Sequence, residues 1–406
     1  MKKHPIKPEL LAPAGSFEKL EIAIHYGADA VYLAGKNFSL RNFSGNFTDT
    51  ELVEAVRLAH HHGVKVYLAC NIYSRNHDQE ALKTFLEQTA RMGPDAIILS
   101  DPGILYLARQ MIPDIDIHLS TQANTTNVNA VRFWHSQGVK RVNLARELSL
   151  TEITDIATRC AMETETFVHG AMCISYSGRC LLSSALSGRD SNRGLCSHPC
   201  RWQYAVVENL RPNEYHSLME DDRGSYIFNS KDLCMIEHIP ELIDANITSL
   251  KIEGRMKGIN YLASVVKTYR NAIDDYIEAP DTYVTDPEWV AELYQVFHRE
   301  YSTGFYFGPS DEQLPNYNNI HHGKIHSFIG KIISRTDDHA YRVGIRNKLC
   351  VGDTIEVLSP LGHPARTKIN ALLDMDHTPI PCAQPNTMVL IKLDINCRPH
   401  DIIRKI

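Results

Sequence analysis

Residues 9–35 read ELLAPAGSFEKLEIAIHYGADAVYLAG. The order is a short apolar run, a polar turn, a helical stretch and a second apolar run. Glu9–Pro13 predicts a strand, and residues 16–27 predict a helix with Ser16 as its N-cap. Glu18 stands in the first turn, where a carboxylate complements the helix dipole. Lys19 holds the position three after Ser16, so a capping box is not expected. Residues 28–35 predict the next strand, ending at Gly35.

The same rhythm repeats along the chain. DTELVEAVRLAHHHG (49–63) leads into VKVYLACNI (64–72), and HDQEALKTFLEQTARMG (77–93) into DAIILSDPG (95–103). A helix from Gly103 leads into DIHLSTQAN (116–124), VNAVRFWHSQG (128–138) into RVNLARELS (141–149), and LTEITDIATRC (150–160) into ETFVHGAMC (165–173). Farther on, SYIFNSKDL (225–233) and SLKIEGR (249–255) read as strands, each followed by a helix. Strands alternating with helices predict a parallel sheet. The strands read as short and apolar throughout, so both faces are expected to be covered. There are nine candidate strands, whereas a closed (β/α)8 TIM-like barrel takes eight, so one is expected to lie outside. A doubly wound open sheet is the alternative, but no GxGxxG follows the first strand.

From Gly323 the pattern changes to short alternating runs separated by Gly, Pro, Asn and Asp. The predicted fold class is therefore α/β: a (β/α)8 TIM-like barrel over 1–280 with a Cys-rich insertion at 171–224, a connector at 281–322, and a small C-terminal β-barrel at 323–406. With 406 residues the chain can bury a large core. No apolar run reaches membrane-span length and the start lacks an apolar signal core, so a cytoplasmic protein is expected. A net charge of −6 argues against blanket nucleic-acid binding and leaves room for a local basic face.

The insertion opens on CISYSGRCLLSSALSGRDSNRGLCSHPCR (173–201), with four of the ten cysteines: Cys173, Cys180, Cys196 and Cys200. Its glycines and Pro199 mark a loop. Two disulfides, a structural zinc and an iron–sulfur cluster are the three readings. In a reducing compartment metal is favoured. Zinc sites usually show two close pairs, whereas only Cys196 and Cys200 are close here. The looser spacing suits a 4Fe-4S cubane. Cys234 is the reserve ligand. Cys70, Cys160, Cys350, Cys382 and Cys397 read as ordinary thiols, and His60–His62 as dipole-complementing residues at a helix end.

ETFVHGAMCISYSGRC (165–180), with RGLCSHPCRW (193–202), NSKDL (229–233) and SLKIEGR, resembles the signature of the collagenase-like family of U-class peptidases. The likeness is to the branch of that family implicated in tRNA hydroxylation. It implies 5-hydroxyuridine synthesis at the wobble position of tRNA, prephenate as hydroxyl donor and co-substrate, and an iron–sulfur cluster.

Chemistry in a (β/α)8 barrel sits where strands end. Those positions hold Asn71, Asp101, Thr121, Gln122, Asn124, Arg146, Glu147, His169, Asn229–Asp232, Lys251, Glu253 and Arg255. Asp101 also reads as a helix cap. Lys251, Glu253 and Arg255 alternate, so they are expected on one strand face. They form either a structural network or a pocket for an anionic small molecule. Arg146 and Arg255 are candidate carboxylate binders, because a guanidinium holds a carboxylate with two hydrogen bonds. Asn229 and Lys231 complete the candidate substrate set. Lys251, Glu253 and His169 are the candidate catalytic groups, with His169 also readable as a satisfied strand-end histidine. Arg179, Arg193, Arg201 and Trp202 are candidate RNA contacts, since arginines meet phosphates and aromatics stack unpaired bases. tRNA and a small carboxylate are the expected partners, and a partner protein or a second copy stays open. The alternatives are a peptidase, for which no HExxH or GxSxG is present, and a non-catalytic metal-binding docking module.

Overall fold

In the computed structural model, residues 5–40, 46–173, 175–202, 206–207, 215–216, 230–308, 327–337 and 340–406 are described. Helix α1 (Phe17–His25) starts where expected: the Ser16 hydroxyl accepts from the Lys19 N–H at 3.4 Å, without a capping box. Strands β1 (Glu9–Pro13) and β2 (Ala30–Leu33) flank it and pair in parallel. Five further parallel strands follow: β3 (Lys65–Cys70), β4 (Ala96–Leu99), β5 (Asp116–Leu119), β6 (Arg141–Asn143) and β7 (Glu163–Ala171). Ser249–Ile252 is the eighth, pairing with both β7 and β1 and closing the barrel.

The strand outside the barrel is Asp232–Cys234, which takes the last two residues of the stretch SYIFNSKDL and Cys234. It runs antiparallel along β7 and carries Tyr301–Ser302 on its other side. Asp232 is held there by Arg299, whose NH2 lies 2.6 Å from Oδ1, with both residues buried. Residues 301–302, expected in a connector, thus add a strand to the sheet.

The strands are not apolar throughout, as the sequence suggested. Leu11, Ala30, Tyr32, Tyr67, Ala96 and Ile98 form an apolar cluster contributed by β1 to β4. Charge from β1, β6, β7 and Ser249–Ile252 meets this cluster at Tyr32 and Tyr67. Arg141 NH1 lies 2.6 Å from Glu9 Oε1, its NH2 2.8 Å from Glu163, and Lys251 Nζ 2.6 Å from Glu165 Oε1. These charges are tolerable in the interior because each meets an opposite partner.

The C-terminal unit is a seven-stranded antiparallel sheet built from Ser327–Asp337 to Ile402–Lys405 around its own core of Ile332, Tyr341, Val343 and neighbours. It is joined to the barrel: the Tyr26 hydroxyl donates to Leu358 O at 2.6 Å and accepts from Ile402 N–H at 3.1 Å. Cys350 and Cys382, read as ordinary thiols, are bonded to each other across a two-stranded ribbon. Sequence separation hid the pair, which only strand pairing brings face to face. Among the described residues no helix is long and apolar enough to cross a membrane.

Candidate active site

A cavity of about 150 Å³ opens at the carboxyl ends of the strands. Cys173, Cys180, Cys196 and Cys200 all line it, as do Arg146, Lys251, Glu253 and Arg255. The insertion and the barrel mouth therefore form one site. The loop is pinned to the mouth by Arg193, whose guanidinium takes Asp78 in two contacts of 2.8 and 3.1 Å and donates to Tyr73 O at 3.0 Å. Gly178 packs with φ +74° against the Tyr73 hydroxyl and the Gln122 carbonyl, where no side chain fits.

An iron–sulfur cluster takes thiolate donors, and the cavity offers four cysteines. All four cysteines are free thiols. Burial, then the neighbouring Cys173, pushes the Cys200 thiol up, while the Arg201 and Arg299 charges pull it down. The His198 N–H donates to Cys196 Sγ at 3.4 Å, the kind of bond that tunes cluster sulfurs. Among the described residues no three His, Cys, Asp or Glu groups close round a single ion. Cys234, the reserve ligand, is not among the lining residues. It sits on the outer strand against Tyr269, its thiol pushed up to about 12 by burial.

The cationic side has a defined geometry. Arg146 lies with its guanidinium carbon 3.8 Å from the Phe167 ring centroid and donates to Ala171 O at 2.9 Å. Its Nε is buried with no hydrogen-bond partner among the described residues. Arg255 is 3 % exposed and donates to Ser39 Oγ at 2.9 Å and to Asn46 Oδ1. Lys251 stands 4.7 Å from the Tyr32 ring centroid, and the Tyr32 hydroxyl donates to Ile252 O at 3.0 Å. Lys251, Glu253 and Arg255 do reach one cavity, although the strand ends at Ile252 and simple alternation is not what aligns them.

Other predicted residues lie elsewhere. His169 is fully buried outside the cavity, ringed by Tyr261, Tyr269 and Tyr301 at centroid distances of 5.3 to 5.8 Å. Burial holds its pKa down at about 3. The cause is a bulge. Lys251 pairs with Phe167 but Ile252 pairs with His169, so one extra residue on β7 reverses the facing and turns His169 away from the lumen. Lys231 is bound to Glu300 at 2.8 Å and does not line the cavity. Asn229 falls outside the described residues. Arg193 is committed to Asp78, whereas Arg179, Arg201 and Trp202 are exposed near the thiols. Asp101 is the helix cap expected, accepting from Gly103 and Ile104 N–H. Ser183, three residues after Cys180 and the serine a peptidase reading would turn to, has its hydroxyl bonded to Ser197. Sequence reading passed over Tyr32, Asn143, Glu165 and Phe167. The period-two run of Glu163, Glu165 and Phe167 was the available signal.

The pattern of peptidase family U32 matches residues 15–316, and that of its C-terminal domain matches 324–404. The chain belongs to peptidase family U32. It is 39% identical over 401 residues to tRNA hydroxylation protein P1 of Bacillus subtilis, covering 98% of this chain and 95% of that protein. It is 38% identical over 401 residues to tRNA hydroxylation protein P of Escherichia coli, covering 88% and 87%. It is 31% identical over 371 residues to the 23S rRNA 5-hydroxycytidine C2501 synthase of E. coli, covering 86% of this chain and 52% of that protein. The names of these U32 relatives refer to RNA hydroxylation, and "peptidase" is the family's own title.

Proposed function

We propose that this U32 protein is an RNA hydroxylase that installs the 5-hydroxyl of a wobble uridine in tRNA, with prephenate as hydroxyl donor. The observation that carries the reading is one cavity lined by four free thiols at one part and by Lys251, Arg146 and Arg255 at another. Cys173, Cys180, Cys196 and Cys200 would hold a 4Fe-4S cluster, which supplies a redox-active, Lewis-acidic centre when bound. Lys251, Arg146 and Arg255 place fixed positive charge where a dicarboxylate donor would sit. The Arg146 Nε, buried without a hydrogen-bond partner among the described residues, offers one donor to such a ligand. Glu253 is the cavity's acid for proton handling.

The rim supports an RNA partner. Arg179 and Arg201 are exposed, and Trp202 and Tyr176 present open ring faces at 44 and 54 % exposure. A wobble base lies unpaired in its loop, so stacking on such rings needs no duplex opening. The relatives' names agree with RNA as the substrate class.

The test is nucleoside mass spectrometry of tRNA from a strain lacking this protein, complemented with wild type or Cys196→Ala. Wild type restores 5-hydroxyuridine-type wobble nucleosides and the variant does not. Unchanged wobble nucleosides in the deletion strain would overturn the reading. Protein purified without oxygen is expected to be brown, and a colourless protein with one zinc would favour a docking module.

A further inference from the structure

Beneath the cavity, one carboxylate holds two of its lining residues. Glu165, on β7, is 2 % exposed and does not itself line the cavity. Its Oε1 accepts the Lys251 ammonium at 2.6 Å and the Asn143 amide N–H at 2.8 Å. Both of those residues line the cavity and come from strands on either side of β7. The other oxygen of Glu165 lies 3.6 Å from Arg141, which is in turn paired with Glu9 and Glu163. Lys251 is confined further by two rings, Tyr32 at 4.7 Å and Phe167 at 5.5 Å. With one amide N–H committed to Glu165, Asn143 keeps a buried Oδ1 with no hydrogen-bond partner among the described residues, an acceptor for a ligand hydroxyl and not for a carboxylate.

We propose that Glu165 is a positioning residue for the anion pocket: it aims the Lys251 ammonium at a carboxylate ligand. This rests on the donor reading above. A long lysine chain loses much rotamer freedom when it is held. Glu165 imposes that order before the ligand arrives, so the ligand does not have to.

A merely structural ion pair makes a different forecast. Breaking a buried pair from one side leaves an uncompensated charge, whereas replacing both members by neutral groups is often neutral or stabilising. The experiment is isothermal titration of the full chain with prephenate, alongside thermal unfolding, for wild type, Glu165→Gln, Lys251→Met and the double variant. Glu165→Gln is expected to weaken prephenate about tenfold, the scale of a charge-assisted hydrogen bond. In the Lys251→Met background the same change is expected to cost less than about threefold, because its main target is gone. The double variant regains thermal stability over Glu165→Gln while its affinity stays at the Lys251→Met level. Affinity that recovers together with stability, or an equal loss in both backgrounds, overturns the assignment while leaving the donor reading intact. Absence of prephenate binding by the wild-type chain overturns the donor reading, and this assignment with it.

Discussion

Arg193→Ala is expected to loosen the thiol-bearing loop without unfolding the barrel. The Arg193 side chain is 21 % exposed and its partner Asp78 12 %. It makes two contacts to that carboxylate and one to Tyr73 O. A hydrogen bond involving a charged group contributes ~1.5–3 kcal/mol, and solvent screening of a partly exposed pair reduces that. Taking about 2 kcal/mol for the whole anchor, the population of the opened loop rises roughly thirtyfold. The backbone bond from Tyr73 N–H to Asn192 O, 3.2 Å long, survives the change, so the loop is weakened but not released. Hydrogen exchange at residues 180–196 measures this directly, and protection unchanged from wild type at pH 7 refutes the reasoning. The pH dependence follows from the same contact. The Arg193 hydrogen bond holds the Asp78 carboxyl at about 2, below the ordinary carboxylate range. A depressed acid stabilises the folded loop above its unfolded pKa and loses that contribution as pH falls toward the folded value. Protection is therefore expected to be flat near neutrality and to decline only between about pH 4 and pH 2.

Four further outcomes are expected. Gly178→Ala forces a side chain onto the Tyr73 hydroxyl and the Gln122 carbonyl in a left-handed backbone, at a cost of about 2–4 kcal/mol; thermal unfolding and thiol-labelling rates measure it, and wild-type values refute it. Serine at any one of Cys173, Cys180, Cys196 or Cys200 should lower iron and sulfide below about four per chain, whereas Cys234→Ser should retain them; the reverse order overturns the ligand assignment. Because burial lowers the His169 pKa to about 3, the unfolded chain binds more protons below about pH 6.5, so stability falls as pH drops through that window. His169→Phe should flatten that slope in denaturant titrations at pH 4.5 and 7, and an unchanged slope refutes the placement. Arg404 is wholly buried between Glu292 at 2.7 Å and Glu356 at 2.5 Å; Arg404→Met should cost about 3 kcal/mol by taking the guanidinium from Glu292, while Glu356 keeps Arg366 at 3.2 Å, read as a lower denaturant midpoint.

The alternation of apolar runs and helical stretches was legible as a (β/α)8 plan because both periods are local, and the chain after Gly323 declared a separate sheet for the same reason. The four cysteines of the insertion were legible as a ligand set from their clustering on one loop, and Arg146 and Arg255 as candidates from their strand-end positions, which need no tertiary knowledge. What the sequence could not decide was which of nine strands stays outside, because closure depends on Ser249–Ile252 meeting both β1 and β7. Nor could it show that one extra residue at the β7 bulge turns His169 from the lumen to the tyrosines. The ion pairs Glu165–Lys251, Asp78–Arg193 and Asp232–Arg299 join residues 86, 115 and 67 positions apart. Only the folded barrel brings such charges within reach, and only there does one oxygen of Glu165 come to serve two walls of the cavity.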